Sequence, residues 1–390
     1  MSRPDVAIVA PYPSGHRVHA GSSGVASYTA NLCRALAQRG ATVHVVAPQE
    51  PDAAGRQVSG SITVDRVFRR GPLAVARACD AALQTGAPTV HLQHEHFIFG
   101  GLTSVPALLP ALDRLRRRQR GGVVTMHQVV DPRAVDRAYT QLHRVAIPAP
   151  VARLGLMTLQ RSIGKRAGAC IVHEQRFAES VPGALVIPHG VEGGCAASPR
   201  EAQRELGIDD DRLIALCFGF VAPYKGLELV LAAAKLAMDD VQLVVAGGEH
   251  PRLAGRDGYA ETLRRANPHA MFTGYVPDHE VPLWFRAADL ALLTHPKPHG
   301  SSGALALAIA NRTPVLLSKG MAEATGASRA LVAPDEPNAL AERLRALSGS
   351  AGEREALRAA ADPLATARSW SDVAEAHLAL YEEVRACPWP

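Results

Sequence analysis

Short runs of β-prone apolar residues alternate with helical stretches along almost the whole chain, and few folds accommodate that alternation. Residues 6–10, 42–47, 89–94, 123–127, 169–173 and 185–188 read as strands. Residues 22–39 read as a helix, with Leu32, Ala35 and Leu36 at helical spacing and Gly40 where a C-cap would stand. Residues 133–166 read as mostly helical, broken by Pro148 and Pro150. A second series of strands follows at 213–220, 241–247, 270–274, 290–294, 314–318 and 330–333, and the stretch from Glu353 to Glu383 reads as helix. Buried parallel strands separated by helices require a sheet covered on both faces.

Between residues 191 and 211 the alternation stops at Gly193-Gly194 and Ser198-Pro199 and gives way to a charged stretch. This sets the expected organisation. Residues 1–192 are expected to form one domain and 193–365 a second. Both are α/β, doubly wound parallel-sheet (Rossmann-like) domains facing a cleft. Residues 366–390 form a helix expected to cross back to the first domain. The length of 390 residues, with 47% apolar and 20% charged residues, is enough for two cores.

The net charge of +5 suits anionic ligands and does not by itself argue for nucleic acid. The chain contains no apolar run of about 18 residues and no secretory leader pattern, so a cytoplasmic location is expected. The basic run Arg114 to Arg120 reads as a solvated helix end that complements the dipole, and it leaves peripheral contact with an anionic membrane open. Six cysteines without a CxxC pair read as reduced thiols rather than a zinc site. His94-Glu95-His96 has metal-ligand chemistry, but no HExxH helix accompanies it, so no metal is expected.

Ligands of doubly wound sheets bind outside the carboxyl ends of the strands, so the residues just after each strand carry the information. Gly21-Ser22-Ser23-Gly24 precedes a helix and can offer backbone N–H groups to an anion, or simply cap the helix. Histidine recurs at the strand ends: His94 and His96 beside Glu95, then His127, His173 and His189. Imidazoles and carboxylates there can orient sugar hydroxyls or phosphate, or support a loop. In the second domain, Gly219-Phe220 leads to Lys225-Gly226, a point charge suited to phosphate. Gly247-Gly248 allows close backbone approach, and Tyr275-Val276 can present main-chain groups to a planar base. His299-Gly300-Ser301-Ser302-Gly303 combines glycines, hydroxyls and a helix start, the best anion site in the sequence.

In this order the motifs resemble those of the GT-B fold family 4 glycosyltransferases, over nearly the whole chain. The resemblance rests on residues 21–39, on Gln93-His94-Glu95 with Phe99-Gly100-Gly101, and on Phe218-Gly219-Phe220 with Lys225-Gly226. It also rests on Ser301-Ser302-Gly303 with residues 304–307 and Thr313-Pro314-Val315. It implies a retaining transferase that moves a hexose-type sugar from a nucleotide diphosphate sugar to a hydroxyl acceptor, with no metal or other cofactor. Lys225 and the amides near Ser301–Gly303 would hold the diphosphate, Val276 the base, and His127 would sit by the donor sugar with Gly24 near the reacting phosphate. Glu95 joins His127 and Lys225 as a catalytic candidate, and Phe220, Gly248, His299 and Gly300 join the donor set. Ser23, His94, His96 and His173 fall on the acceptor side. Many members have Arg where this chain has Phe220, and two Glu where it has His299 and Leu307. A phosphorylase or epimerase, or a non-catalytic sugar-binding protein, is the alternative.

Overall fold

The structure is a computed structural model. It describes residues 3–14, 24–50, 53–95, 98–118, 122–142, 146–191, 194–208, 211–249, 258–296, 302–365 and 369–386. The chain divides into two units: residues 1–190 with 299–301 and 367–390, and residues 191–298 with 302–366.

The first unit opens with β1 (Val6–Val9), α1 (Gly24–Gln38) and β2 (Val43–Pro48), then β3 (Arg56–Ser59), β4 (Ile62–Phe68) and α2 (Ala74–Gln84). Next come β5 (Thr89–His94), α3 (Val105–Arg118), β6 (Gly122–Met126), α4 (Arg137–Leu142) and α5 (Ala149–Arg166). It continues through β7 (Ala169–Val172), α6 (Gln175–Ser180) and β8 (Leu185–Val186). The sheet order is β3-β4-β2-β1-β5-β6-β7-β8, and every pairing is parallel except β3 with β4.

Side chains alternate across a strand, and β1 shows the consequence. Ala7 and Val9 enter one core with α2 and α3, while Val6 and Ile8 enter another with α1. All four are fully buried, so the sheet is covered on both faces. Gly40, at φ +88°, takes the left-handed conformation that ends α1 without a Cβ penalty.

The second unit contains α7 (Pro199–Glu205), β9 (Leu213–Phe218), α8 (Leu227–Leu236), β10 (Val241–Ala246) and α9 (Tyr259–Ala266). It continues with β11 (Met271–Gly274), α10 (Val281–Ala287), β12 (Leu290–Leu293), α11 (Gly303–Ala310) and β13 (Val315–Leu317). Helices α12 (Lys319–Thr325), α13 (Pro337–Gly349) and α14 (Ala351–Ala361) complete it. Its all-parallel sheet runs β11-β10-β9-β12-β13. Helix α7 is fixed at its start by a reciprocal capping box: Ser198 Oγ accepts from Glu201 N, and Glu201 accepts from Ser198 N. The last helix, α15 (Trp370–Ala386), belongs to the first unit and packs on α1, where Arg39 bonds Ser371 and Glu375.

Several expectations are corrected. Residues 330–333 are not a strand. Arg329–Leu331 is a 3₁₀ turn, started by Ser328 Oγ accepting from Ala330 N, and only Val332 bridges Leu317. The C-terminal helix is two helices, because Pro363 turns Asp362–Leu364 into a 3₁₀ segment between α14 and α15. Pro150 does not break a helix, since it sits in the first turn of α5, where no N–H is needed. The β3–β4 hairpin was not expected at all. Cys33, Cys79, Cys170 and Cys217 are buried free thiols.

Candidate functional site

In the first unit the strand order reverses beside β1, whose neighbours are β2 and β5. The loop after β1 is tied down by Arg66 of β4, a buried guanidinium that donates to the Tyr12 and Pro13 carbonyls at 3.0 and 2.9 Å. Beyond it, Tyr28 on the second turn of α1 stands at the centre of a cluster of rings. The centroids of His127, His173, His189 and Trp370 lie 4.7, 5.0, 5.2 and 5.1 Å from its own. Burial pushes the Tyr28 phenol far up, so it stays protonated. Its hydroxyl has no hydrogen-bond partner among the described residues. Trp370, the first residue of α15, lies against Gly190, where any Cβ would overlap the indole.

A chain of hydrogen bonds runs under this cluster. Tyr381 Oη lies 2.6 Å from His91 Nδ1, and His91 Nε2 lies 2.8 Å from Thr125 Oγ1 and 3.3 Å from Gln93 Nε2. Gln93 Oε1 is 2.6 Å from His127 Nε2. His127 Nδ1 is 3.3 Å from His173 Nε2, whose Nδ1 is 2.9 Å from the Ile187 carbonyl. A carbonyl only accepts, so His173 carries a proton on Nδ1 and, when neutral, accepts at Nε2. His127 must then donate from Nδ1 and accept at Nε2.

The two ends of an amide have the same shape, so bonding decides its orientation. Neutral rings require Gln93 to turn its NH₂ towards His127 and its oxygen towards His91. Every link then runs one way, from Tyr381 to the Ile187 carbonyl. The opposite amide orientation sets two lone pairs face to face between His127 and His173 unless that pair holds an extra proton. Burial opposes such a proton. It holds His91 and His127 well below the usual histidine range, with further lowering from neighbouring histidines.

In the second unit the strand order reverses between β9 and β12, the place where doubly wound sheets take their ligands. Strands β9 and β10 run directly into Gly219 and Gly247, and β11 ends at Gly274, with φ of +108°, +148° and +72°. A Cβ on Gly247 would overlap the Gly219 carbonyl, so these strand ends meet backbone to backbone. The loop after β9 carries Lys225, whose Nζ is 3.5 Å from the Phe218 carbonyl and 5.7 Å over the Tyr224 ring. Burial brings its ammonium down to about 8. Beside the glycines, a pocket of about 450 Å³ is lined by Gly247, Gly248, Glu249, Glu261, Arg264 and Gly274. Arg264 is paired with Glu261 at 2.6 Å. At α11, Ser302 Oγ caps the helix by accepting from Leu305 N at 3.2 Å, and Gly303 is its first residue.

The structure therefore brings His127 and His173 together, and separately places Phe220 and Lys225 on one small cavity with Gly248 on the larger pocket. His173 is buried beneath the ring cluster and His94 is buried at the end of β5. Glu95 follows β5, where its carbonyl accepts from Ile98 N. Gly24 begins α1 with open space around it, and Val276 is buried. Ser23, His96, His299, Gly300 and Ser301 lie outside the described residues. Sequence reasoning missed Tyr28, His91, Tyr381, Arg264 and His295, and named Gln93 only as part of a motif, without a role at the site. The alternation of His91 with Gln93, and the i, i+4 pair His377 and Tyr381, were the available signals.

Two doubly wound units of this kind are the architecture of the GT-B fold. The model of Glycosyltransferase Family 4 matches residues 22–191, and that of Glycosyl transferases group 1 matches residues 212–350. The chain belongs to this family of glycosyltransferases, as the sequence motifs led one to expect. It is 32% identical over 221 residues to D-inositol 3-phosphate glycosyltransferase of Geodermatophilus obscurus, covering 50% of this chain and 46% of that protein. The chain thus matches just under half the length of this curated relative. Among solved structures it is similar to sucrose-phosphate synthase from Thermosynechococcus elongatus, with TM-score 0.73 and 18% identity, over 98% of this chain and all of the other. It is also similar to Anabaena HepE in complex with UDP and glucose, with TM-score 0.67 and 14% identity, over 97% of this chain and all of the other. These likenesses establish the GT-B fold.

Proposed function

We propose that the chain transfers a sugar from a nucleoside diphosphate sugar to a hydroxyl acceptor, with retention of anomeric configuration and without a metal. The observation that carries this reading is the switch point of the second unit. There, glycine-ended strands leave backbone exposed to a ligand, Lys225 supplies a positive charge, and the adjoining pocket has the volume of a small-molecule site. In the reaction the bond from C1 to the diphosphate oxygen breaks and a bond from C1 to the acceptor oxygen forms. The acceptor proton passes to the departing phosphate. Such a step needs stabilisation of the leaving diphosphate more than a protein nucleophile. In this reading Lys225 gives it, and the pocket by Gly248 takes the nucleoside. Similarity to a structure holding UDP and glucose supports this assignment of the second unit.

The test is calorimetric titration with UDP, GDP, ADP and TDP in the presence of a chelator. One nucleotide is expected to bind, and Lys225→Ala is expected to weaken it at least about 10-fold, as for loss of a charge-assisted contact, with an unchanged circular dichroism spectrum. Equal affinity in the variant would remove Lys225 from the diphosphate site. Absence of binding to all four would reject the nucleotide-sugar reading.

A further inference from the structure

Lys225 does not stand alone at the switch point. β12 runs beside β9, and the residues after it, Thr294 and His295, reach the same cavity as Phe220 and Lys225. Thr294 Oγ1 donates to the carbonyls of Lys225 and Gly226 at 3.1 and 3.3 Å, which ties the end of β12 to the lysine loop. Gly226 makes the approach possible. It sits at φ +67°, and a Cβ there would press on the Thr294 carbonyl at 2.6 Å. Tyr224 stacks along His295, with centroids 6.2 Å apart and planes within 18°. Ser318 Oγ bonds the His295 carbonyl at 2.5 Å. The histidine is thus held in place from three sides.

Its Nδ1 is shut off from solvent and has no hydrogen-bond partner among the described residues. A buried polar atom without a partner costs stability, so its persistence asks for a reason. We infer that His295 is a second binding residue for the diphosphate, its Nδ1 taking a phosphoryl oxygen beside Lys225. This rests on the nucleotide-sugar reading above. Two features of the site fit an anion. Burial, with a smaller contribution from the Lys225 charge, holds the imidazole well below its usual range, and two groups that repel each other when protonated face one cavity. An anion between them removes that repulsion, and each gains a charge-assisted bond. The free space is about 10 Å³, room for one oxygen atom rather than a sugar ring.

The test compares wild type, His295→Ala and His295→Asn in titrations with the nucleoside diphosphate that wild type binds and with the matching nucleoside. His295→Ala is expected to lose at least about 10-fold in diphosphate affinity and nothing for the nucleoside. His295→Asn, whose amide nitrogen falls near the place of Nδ1, is expected to recover most of the loss. Equal diphosphate affinity in wild type and His295→Ala, with Lys225→Ala still weakened, would overturn the role of His295 and leave the donor site standing. Parallel losses for nucleoside and diphosphate in both variants would also overturn it, by showing a packing role. No binding by wild type would reject the underlying reading instead.

Discussion

A single proton decides how His127 behaves. In the neutral network its hydrogen sits on Nδ1 and points to His173, while Nε2 accepts from Gln93. Both ring nitrogens are then engaged inside the protein, so the ring can meet a ligand only through its carbon edge, and its orientation is set from Tyr381 through His91 and Gln93. Nitrogen-15 NMR of the histidine side chains near pH 7 is expected to show His127 as the Nδ1–H tautomer. Gln93→Glu offers only acceptors to His127 and is expected to add a proton at Nε2, giving an imidazolium that keeps Nδ1–H towards His173. An Nε2–H signal in the wild type would mean that Gln93 points the other way and that a shared proton joins the two imidazoles. None of this is legible in the sequence. The sequence displays His127 and His173 at strand ends, but the partners that fix their protons come from β5 and from α15, about 290 positions away from His91.

At the scale of elements, what the sequence revealed was what periodicity encodes. Val6–Val9 and Thr89–His94 are unbroken apolar or half-apolar runs, and they form central strands. Residues 330–333 have the same texture but lie in a turn, because Ser328 offers its hydroxyl to the backbone before a ladder can form. The β3–β4 hairpin escaped because its exposed strand, Arg56–Ser59, is mostly polar and short. Helix α15 makes one contact that no pattern announces, the indole of Trp370 lying on the bare Cα of Gly190. Gly190→Ala is therefore expected to displace Trp370 from Tyr28 and His189 and to destabilise the first unit by about 1–3 kcal/mol, the usual cost of overpacking. Urea unfolding followed by tryptophan fluorescence measures it. Trp370→Leu in the same background should relieve part of the loss, and two additive losses would show that the indole and the glycine do not interact.

Over the whole molecule, the buried histidines make the two units unequal in acid. His91, His127 and His377 of the first unit are neutral and buried; burial lowers all three, His377 to about 4. A histidine whose folded value is lowered binds no proton in the native state while the unfolded chain already does. Stability is then greatest above about 6.5 and falls as pH drops towards the folded value. Each such group contributes a slope of about 1.4 kcal/mol per pH unit in that window. In the second unit only His295, among the described residues with a clear shift, adds to this slope. Its lowered Lys225 acts between about 8 and 10.5, where stability rises with pH. The lowered carboxyls, Asp5 and Glu201, act only below their ordinary values of 3.8 and 4.5. Hydrogen exchange read by mass spectrometry from pH 7 to 4.5, with rates corrected for intrinsic pH dependence, should therefore show β5 and β6 losing protection before β9 and β10. The reverse order, or equal loss, would mean that the histidine network is already protonated in the native state. That result would restore the shared proton between His127 and His173 and leave Gln93 with its oxygen towards His127.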